Sequence, residues 1–386
     1  MSDITVATPD VNLHGPRSAD LHARAYAERL PIAGGLELTH RCNLACIHCY
    51  VNLPANDRPA QRRELTTAEW YRVIDQLADA GTLWLTLSGG EPLLRADFCD
   101  IYRYAQGKGI VLNVYTNATL ITEKHLALWR ALPPRMIEIT QYGYTPETYD
   151  KVTDAGAQYD RFRRGIDRLR AAGVAVTLKA IAMKATQNEV HQIRQYAERE
   201  GLKFRFDAVL SPRIDGGRKP LAQRLSPAEV AALEGGDSKR TGELADYCST
   251  RIGKAPPNDK RYQCGAGAAT FVIDPYGKLH VCELSRKPGW DVLRDGFLAG
   301  FGGGFAEVLD SRREDMSGCG SCTTGVACSN CTGMAELEGL DPDGGNPYMC
   351  AVTDARNADM YGENRPMPQG LVKLRLRGDH GQAAAR

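Results

Sequence analysis

Eleven of the twelve cysteines in this 386-residue chain fall into two groups: Cys42, Cys46 and Cys49 within eight positions, and eight more between residues 248 and 350. Only Cys99 lies outside them, and on a helix its expected role is packing. The grouping constrains the fold more than any other feature. After Cys248 the chain is rich in Gly and Cys and poor in long apolar periods, so that segment needs cross-links or metals to hold a fold. The opening MSDITVATPDVNLHG lacks a basic head and an apolar run, so no signal peptide is predicted. No stretch approaches the roughly 20 apolar residues of a membrane helix. The expected compartment is the cytoplasm, where thiols stay reduced and ligation of a metal or cluster is the better use for so many. With 48 basic and 47 acidic residues the net charge is +1, and no nucleic-acid partner is predicted.

Residues 35–208 alternate strand and helix patterns. LELTH reads as a short strand that ends at the first cysteine loop. TTAEWYRVIDQLADAG reads as a helix, with Thr66 and Glu69 as a capping box, Trp70, Val73, Ile74, Leu77 and Ala78 on one face, and Gly81 as the stop. The strand LWLTL follows and ends in SGGEP; further strands are expected near 110–115, 136–140, 174–181 and 203–208. The fold class expected is therefore α/β: a partial (β/α)6 TIM-like barrel, followed by a small cysteine-rich α+β domain. The expected divisions are an N-terminal extension over 1–34, the barrel over 35–210, a bridging region over 211–247, the cysteine-rich domain over 248–355 and a tail over 356–386. In the bridging region Ser226 and Glu229 form a second capping box. Barrels of this kind carry their chemistry at the C-terminal ends of the strands. Here those ends hold the cysteine loop, SGGEP, YTNAT, TQYG, LKA and RFDA.

CNLACIHC spaces three thiols so that they can hold three irons of a cubane and leave the fourth iron open. Zinc would need a fourth ligand, and His48, between two of the cysteines, would be strained onto the same ion. Downstream, TFVI and KLHV flank the turn DPYG, a hairpin that draws Cys264 and Cys282 together. Then come Cys319, Cys322, Cys328, Cys331 and, after eighteen intervening residues, Cys350.

CNLACIHC, with SGGEP after the second strand, resembles the signature of the radical S-adenosylmethionine superfamily. The resemblance implies a [4Fe–4S] cluster on Cys42, Cys46 and Cys49, whose open iron is chelated by S-adenosylmethionine. Glu91 would then hold the methionine ammonium, Gly89 and Gly90 would let the backbone come close, and His48 would sit beside the adenine. Thr140 or Gln141 would touch the ribose, and Lys179 the carboxylate; the alternative for each is an ordinary polar residue at the barrel rim. Reductive cleavage of the cofactor would give a 5′-deoxyadenosyl radical that takes hydrogen from substrate.

The later cysteines resemble the SPASM domain of radical enzymes that modify peptides and proteins. Twelve residues separate Cys264 from Gly277 and four separate Gly277 from Cys282, as that pattern asks. One departure is the two residues, rather than three, between Cys328 and Cys331. The resemblance implies two auxiliary [4Fe–4S] clusters: one on Cys264, Cys282 and Cys331 with Cys248 as the candidate fourth ligand, the other on Cys319, Cys322, Cys328 and Cys350. The shortened step leaves open a single metal, zinc included, on Cys319, Cys322, Cys328 and Cys331. Glu283, directly after Cys282, is a candidate base, with a solvated carboxylate as the alternative. Arg205, Asp207 and Arg213 would meet substrate or form a rim ion-pair network.

The expected substrate is a ribosomally made precursor peptide or a protein, modified by cross-linking, oxidation or epimerisation. The alternatives are a small molecule such as a tetrapyrrole side chain, or oxidation of the anaerobic sulfatase-maturation kind. An iron–sulfur electron carrier would have no use for the GGE loop. With 41 residues before Cys42, too few for a peptide-recognition domain, a separate leader-peptide-binding protein is expected. A low-potential donor, flavodoxin or ferredoxin, would supply the electron.

Overall fold

The computed structural model describes residues 16–51, 53–237, 241–242, 259–262, 264–322, 328 and 331–361. The chain divides into two compact units: Met1–Leu225 with Lys260–Ser311 and Thr332–Gly339, and Ser226–Asp259 with Arg312–Cys331 and Leu340–Arg386.

The first unit is built on one sheet. Its strands are β1 (Ala33–Thr39), β4 (Trp84–Gly89), β5 (Val111–Thr116), β6 (Met136–Gln141), β7 (Val176–Ile181) and β8 (Lys203–Asp207), all parallel and adjacent in that order. Between β1 and β4, the two-residue strands β2 (Arg41–Cys42) and β3 (Leu53–Pro54) pair with each other. Six parallel strands joined through helices confirm the α/β class, and the sheet stays open at β8.

On its other side β1 pairs in parallel with β9 (Thr270–Ile273), which turns back through β10 (Lys278–His280) to β11 (Trp290–Asp291). The hairpin read from TFVI and KLHV thus forms, with Gly277 at a φ of 78° in its turn. It extends the barrel sheet. Its approach to β1 is close enough to require Gly34, where an added Cβ would stand 2.3 Å from the Phe271 ring.

The strands alternate strictly. Leu36, Leu38, Leu85, Leu87, Leu112, Val114, Ile137, Ile139 and Leu178 are buried in the main apolar core with the helices. The intervening positions carry Thr86, Ser88, Asn113, Tyr115, Glu138, Thr140, Lys179, Arg205 and Asp207. Parallel strands covered on both faces read as continuous apolar runs. Here one face is polar because it lines a cavity instead of a packed core.

The helices start where the sequence marks them. Thr66 caps Thr67–Asp79 by accepting from Glu69 N at 3.3 Å, while Glu69 Oε2 accepts from Thr66 N at 2.7 Å. Trp70, Val73, Ile74 and Leu77 are buried beneath it. Thr66→Ala should therefore cost about 1 kcal/mol, read as a lowered denaturation midpoint with an unchanged slope. Cys99 lies buried in the core on Phe98–Gly107.

In the second unit, Ser226 and Glu229 close the expected capping box on Pro227–Gly235. That helix is joined to Pro347–Tyr361 through a buried ion pair, with Arg356 Nε and Nη2 at 2.6 and 2.9 Å from the Glu234 carboxylate. The latter helix continues past the expected tail boundary at 356; residues 362–386 lie outside the described residues.

Candidate functional site

The cysteine loop leaves the C-terminal end of β1 through β2. Ala45 N donates to Thr153 O at 2.8 Å and Ile47 N to Val152 O at 3.0 Å, fastening the loop to the end of helix Pro146–Thr153. The GGE loop braces it from the other side. Gly90 N donates to Thr39 O and Glu91 N to Arg41 O, at 2.6 and 2.9 Å. A Cβ on Gly89, whose φ is +133°, would stand 2.1 Å from Thr39 O; one on Gly90 would stand 2.3 Å from Arg41 O. These glycines are thus required by the backbone that carries the cysteines.

Glu91 is wholly buried. Its carboxylate accepts from Thr116 Oγ1 at 2.8 Å, Leu93 N at 3.0 Å and Asn117 N at 2.7 Å. Burial raises its pKa to about 7 although those three donors pull it down. It therefore pins the GGE loop to the end of β5.

Cys42, Cys46, His48 and Cys49 line a cavity of about 680 Å³ in the first unit, together with Gly89 and Gly90. Thr140 and Lys179 also face it, whereas Gln141, one position along β6, falls on the buried far side. Cys282 and Glu283 reach the same wall from the end of β10. Among the lining residues, Tyr115 and Glu138 escaped the sequence reading, as did Arg205's link to Glu138. Arg205 Nε and Nη2 grip the Glu138 carboxylate at 2.7 and 2.8 Å, and Arg205 Nη1 bonds Asp207 Oδ1 at 2.9 Å. Lys179 Nζ lies 2.7 Å from Asp207 Oδ2. Glu138, Lys179 and Asp207 of this chain of four charges line the lumen. Arg213 instead pairs with Asp215 at 3.1 Å. The signal for Glu138 was available in the period-two alternation of β6.

The residues suit a thiolate-bound cluster with an adenosyl cofactor beside it. Burial, then the Glu91 charge and Cys49, push Cys42 up to about 12; burial and the neighbouring thiols raise Cys46 as well. Thiols this reluctant to ionise become thiolates only against a metal cation, which releases their protons on binding. Burial, then the Lys179 charge, lower His48 to about 4, and its buried Nδ1 has no partner within the protein. A neutral ring on a cavity wall with an unmet nitrogen suits an aromatic base with hydrogen-bonding edges.

Two other cysteine sets were expected. In the second unit, burial, then the neighbouring Cys328, Cys319 and Cys322, push the Cys350 thiol up to about 11. Gly345, at a φ of +82°, keeps the space beside them clear, because a Cβ there would lie 2.8 Å from Cys319 Sγ. Cys264 and Cys282 flank the hairpin of the first unit, Cys331 belongs to the second, and Cys248 lies outside the described residues. Among the described residues no three Cys, His, Asp or Glu side chains draw in to the spacing of ligands on one ion. Also among them, no helix is long and apolar enough to cross a membrane.

The Radical SAM superfamily pattern matches residues 36–197. Mycofactocin maturase MftC of Mycobacterium ulcerans is 29% identical over 339 residues, covering 82% of this chain and 87% of that protein. PqqA peptide cyclase of Rhizobium meliloti is 30% identical, covering 66% of this chain and 68% of that protein. Among solved structures, Streptococcus suis SuiB bound to precursor peptide SuiA superposes with a TM-score of 0.62 at 16% identity, over 89% of this chain and 82% of that one. With that pattern over residues 36–197 and a relative 30% identical over 68% of its own length, the chain belongs to the radical SAM superfamily.

Proposed function

We propose that this protein matures a ribosomally made precursor peptide by hydrogen abstraction. The observation that carries the reading is that the three cysteines and the polar faces of β4 to β8 open on one cavity. S-adenosylmethionine, bound at a [4Fe–4S] cluster on Cys42, Cys46 and Cys49, supplies the hydrogen-abstracting chemistry there. The relatives support a peptide as substrate: one is a peptide cyclase, another a maturase, and SuiB is seen with a precursor peptide.

The chain's own residues orient and shield. Thr140 and Lys179 would face the cofactor's ribose and carboxylate, His48 its adenine, and Gly89 and Gly90 its methionine end; Glu91 would serve the ammonium by fixing that loop. Glu138 and Asp207, both bonded to Arg205, would present fixed charges to the peptide, and Glu283, on the cavity wall, would accept a proton from the attacked residue. Cys319, Cys322, Cys328 and Cys350 would hold one auxiliary [4Fe–4S] cluster. Cys264 and Cys282 would serve the other, giving the electron of the oxidised substrate an exit. A separate leader-binding protein and a flavodoxin or ferredoxin complete the system, in the cytoplasm.

The test is mass spectrometry of candidate precursor peptides encoded near this protein and co-expressed with it, with a tetrapyrrole and a sulfatase-type peptide supplied in separate incubations. A mass change in the precursor alone is the expected result. Turnover of the tetrapyrrole or the sulfatase-type peptide with the precursors untouched would overturn the proposal.

A further inference from the structure

The second residue of YTNAT's central Thr-Asn pair lies between the two halves of the cluster site. Asn117 is 3% exposed. Its backbone N–H goes to Glu91 Oε2 at 2.7 Å. Its side-chain NH2 goes to Asn43 Oδ1 at 2.9 Å and to Cys42 Sγ at 3.8 Å. One residue therefore gives one donor to the buried carboxylate and another to a cluster sulfur. Leu44 N adds a second donor to the same sulfur at 3.4 Å.

The orientation of the Asn117 amide is fixed by its oxygen. Oδ1 accepts from Thr119 N at 3.0 Å and from Thr119 Oγ1 at 2.7 Å. Thr119 Oγ1 in turn accepts from Asn43 Nδ2 at 2.8 Å. A backbone N–H cannot be matched by an amide nitrogen, so the oxygen must face Thr119 and the NH2 must face Cys42. The loop that does this is held in a costly backbone conformation: Ala118, a residue with a Cβ, sits at a φ of 62°. Gly165 allows it, since a Cβ there would stand 2.2 Å from Ala118 O. A strained residue, a glycine on another element and a closed ring of side-chain hydrogen bonds all serve to aim one N–H at one sulfur.

Resting on the assignment of a cluster to Cys42, Cys46 and Cys49, we infer that Asn117 is a positioning residue that raises the reduction potential of that cluster by hydrogen bonding to the Cys42 sulfur. A reduced cluster carries one more negative charge than an oxidised one, and an N–H dipole on a ligand sulfur stabilises the reduced form more.

The experiment is a redox titration of the reconstituted full chain followed by electron paramagnetic resonance, read on the signal that changes when S-adenosylmethionine is added. In Asn117→Leu, which keeps the size and removes the donor, the reduced-to-oxidised ratio should fall about tenfold at the potential where the parent is half reduced, or about 59 mV for a one-electron couple. In Thr119→Val, which frees the amide to turn, a shift of the same sign and smaller size is expected. An Asn117→Leu protein that carries the parent's iron and titrates as the parent does would overturn the inference. If that variant does not take up iron, an unchanged potential in Thr119→Val would overturn it instead. The titration uses neither peptide nor turnover, so it stands apart from the peptide reading.

Discussion

A protein with Cys42, Cys46 and Cys49 all changed to Ala should form no 5′-deoxyadenosine above background from S-adenosylmethionine under strong reduction, and should leave its peptide unmodified. The argument begins with burial. Cys46 is buried and Cys42 and Cys49 partly so, and burial with neighbouring negative charge raises the Cys42 and Cys46 thiols. Such a set has no use as free thiols on a cavity wall, yet against iron its three negative charges are what the metal needs. No nearby group replaces them: the Glu91 carboxylate is taken by Thr116, Leu93 and Asn117. Alanine fills the same backbone without strain, so the loop stays pinned to Thr153 and Val152 through its main chain. Iron and sulfide should fall by one cluster's worth while the remaining content persists. Deoxyadenosine formation that survives in this variant would refute the site.

Much of this was legible in the sequence because the signals were local. The Thr66–Glu69 and Ser226–Glu229 boxes, the DPYG hairpin and the placement of motifs at strand ends each depend on residues within a few positions of one another. What escaped depends on pairs far apart. Nothing near SGGEP says that the Glu91 carboxylate will be committed to Thr116 and Asn117 on the next strand. The choice between Thr140 and Gln141 was within reach, since Glu138 and Thr140 share a face of β6 by alternation and Gln141 cannot join them. The same alternation, polar at every second position from Thr86 to Asp207, announced a lined cavity in place of an aliphatic barrel core. A buried case is Glu37 with Arg286, 249 positions apart. One lies inside β1 between Leu36 and Leu38 and the other in a short Arg-Lys-Pro run after Cys282, and neither carries a mark of its partner.

Arg286→Leu should destabilise the protein by about 3–5 kcal/mol at neutral pH, the range for leaving one member of a buried ion pair alone. Glu37 is 1% exposed, and Arg286 grips its two oxygens at 2.7 and 2.8 Å. His40 Nε2 at 2.9 Å and the Tyr50 hydroxyl at 3.2 Å complete the set. Burial alone would raise the Glu37 pKa, but the Arg286 charge, with hydrogen bonds from His40 and Arg286, overcomes it and holds the group at about 2, against an ordinary 4.5. The sign of the pH dependence follows. A depressed carboxylate adds stability that is complete above pH 4.5 and is lost as the pH falls toward 2. Without Arg286, burial dominates and the same carboxylate takes up a proton, so parent and variant should converge in acid and differ most at neutral pH. Urea unfolding of both at pH 7 and near pH 4 measures this. Changing both residues, Glu37→Leu with Arg286→Leu, should recover part of the loss, because no orphaned charge remains. A full loss in the double variant, or equal losses at the two pH values, would mean that Arg286 acts through packing alone. The pair also ties function to stability: Tyr50 follows Cys49, and Arg286 lies four residues after Cys282, so this one carboxylate holds both cysteine-bearing segments against β1.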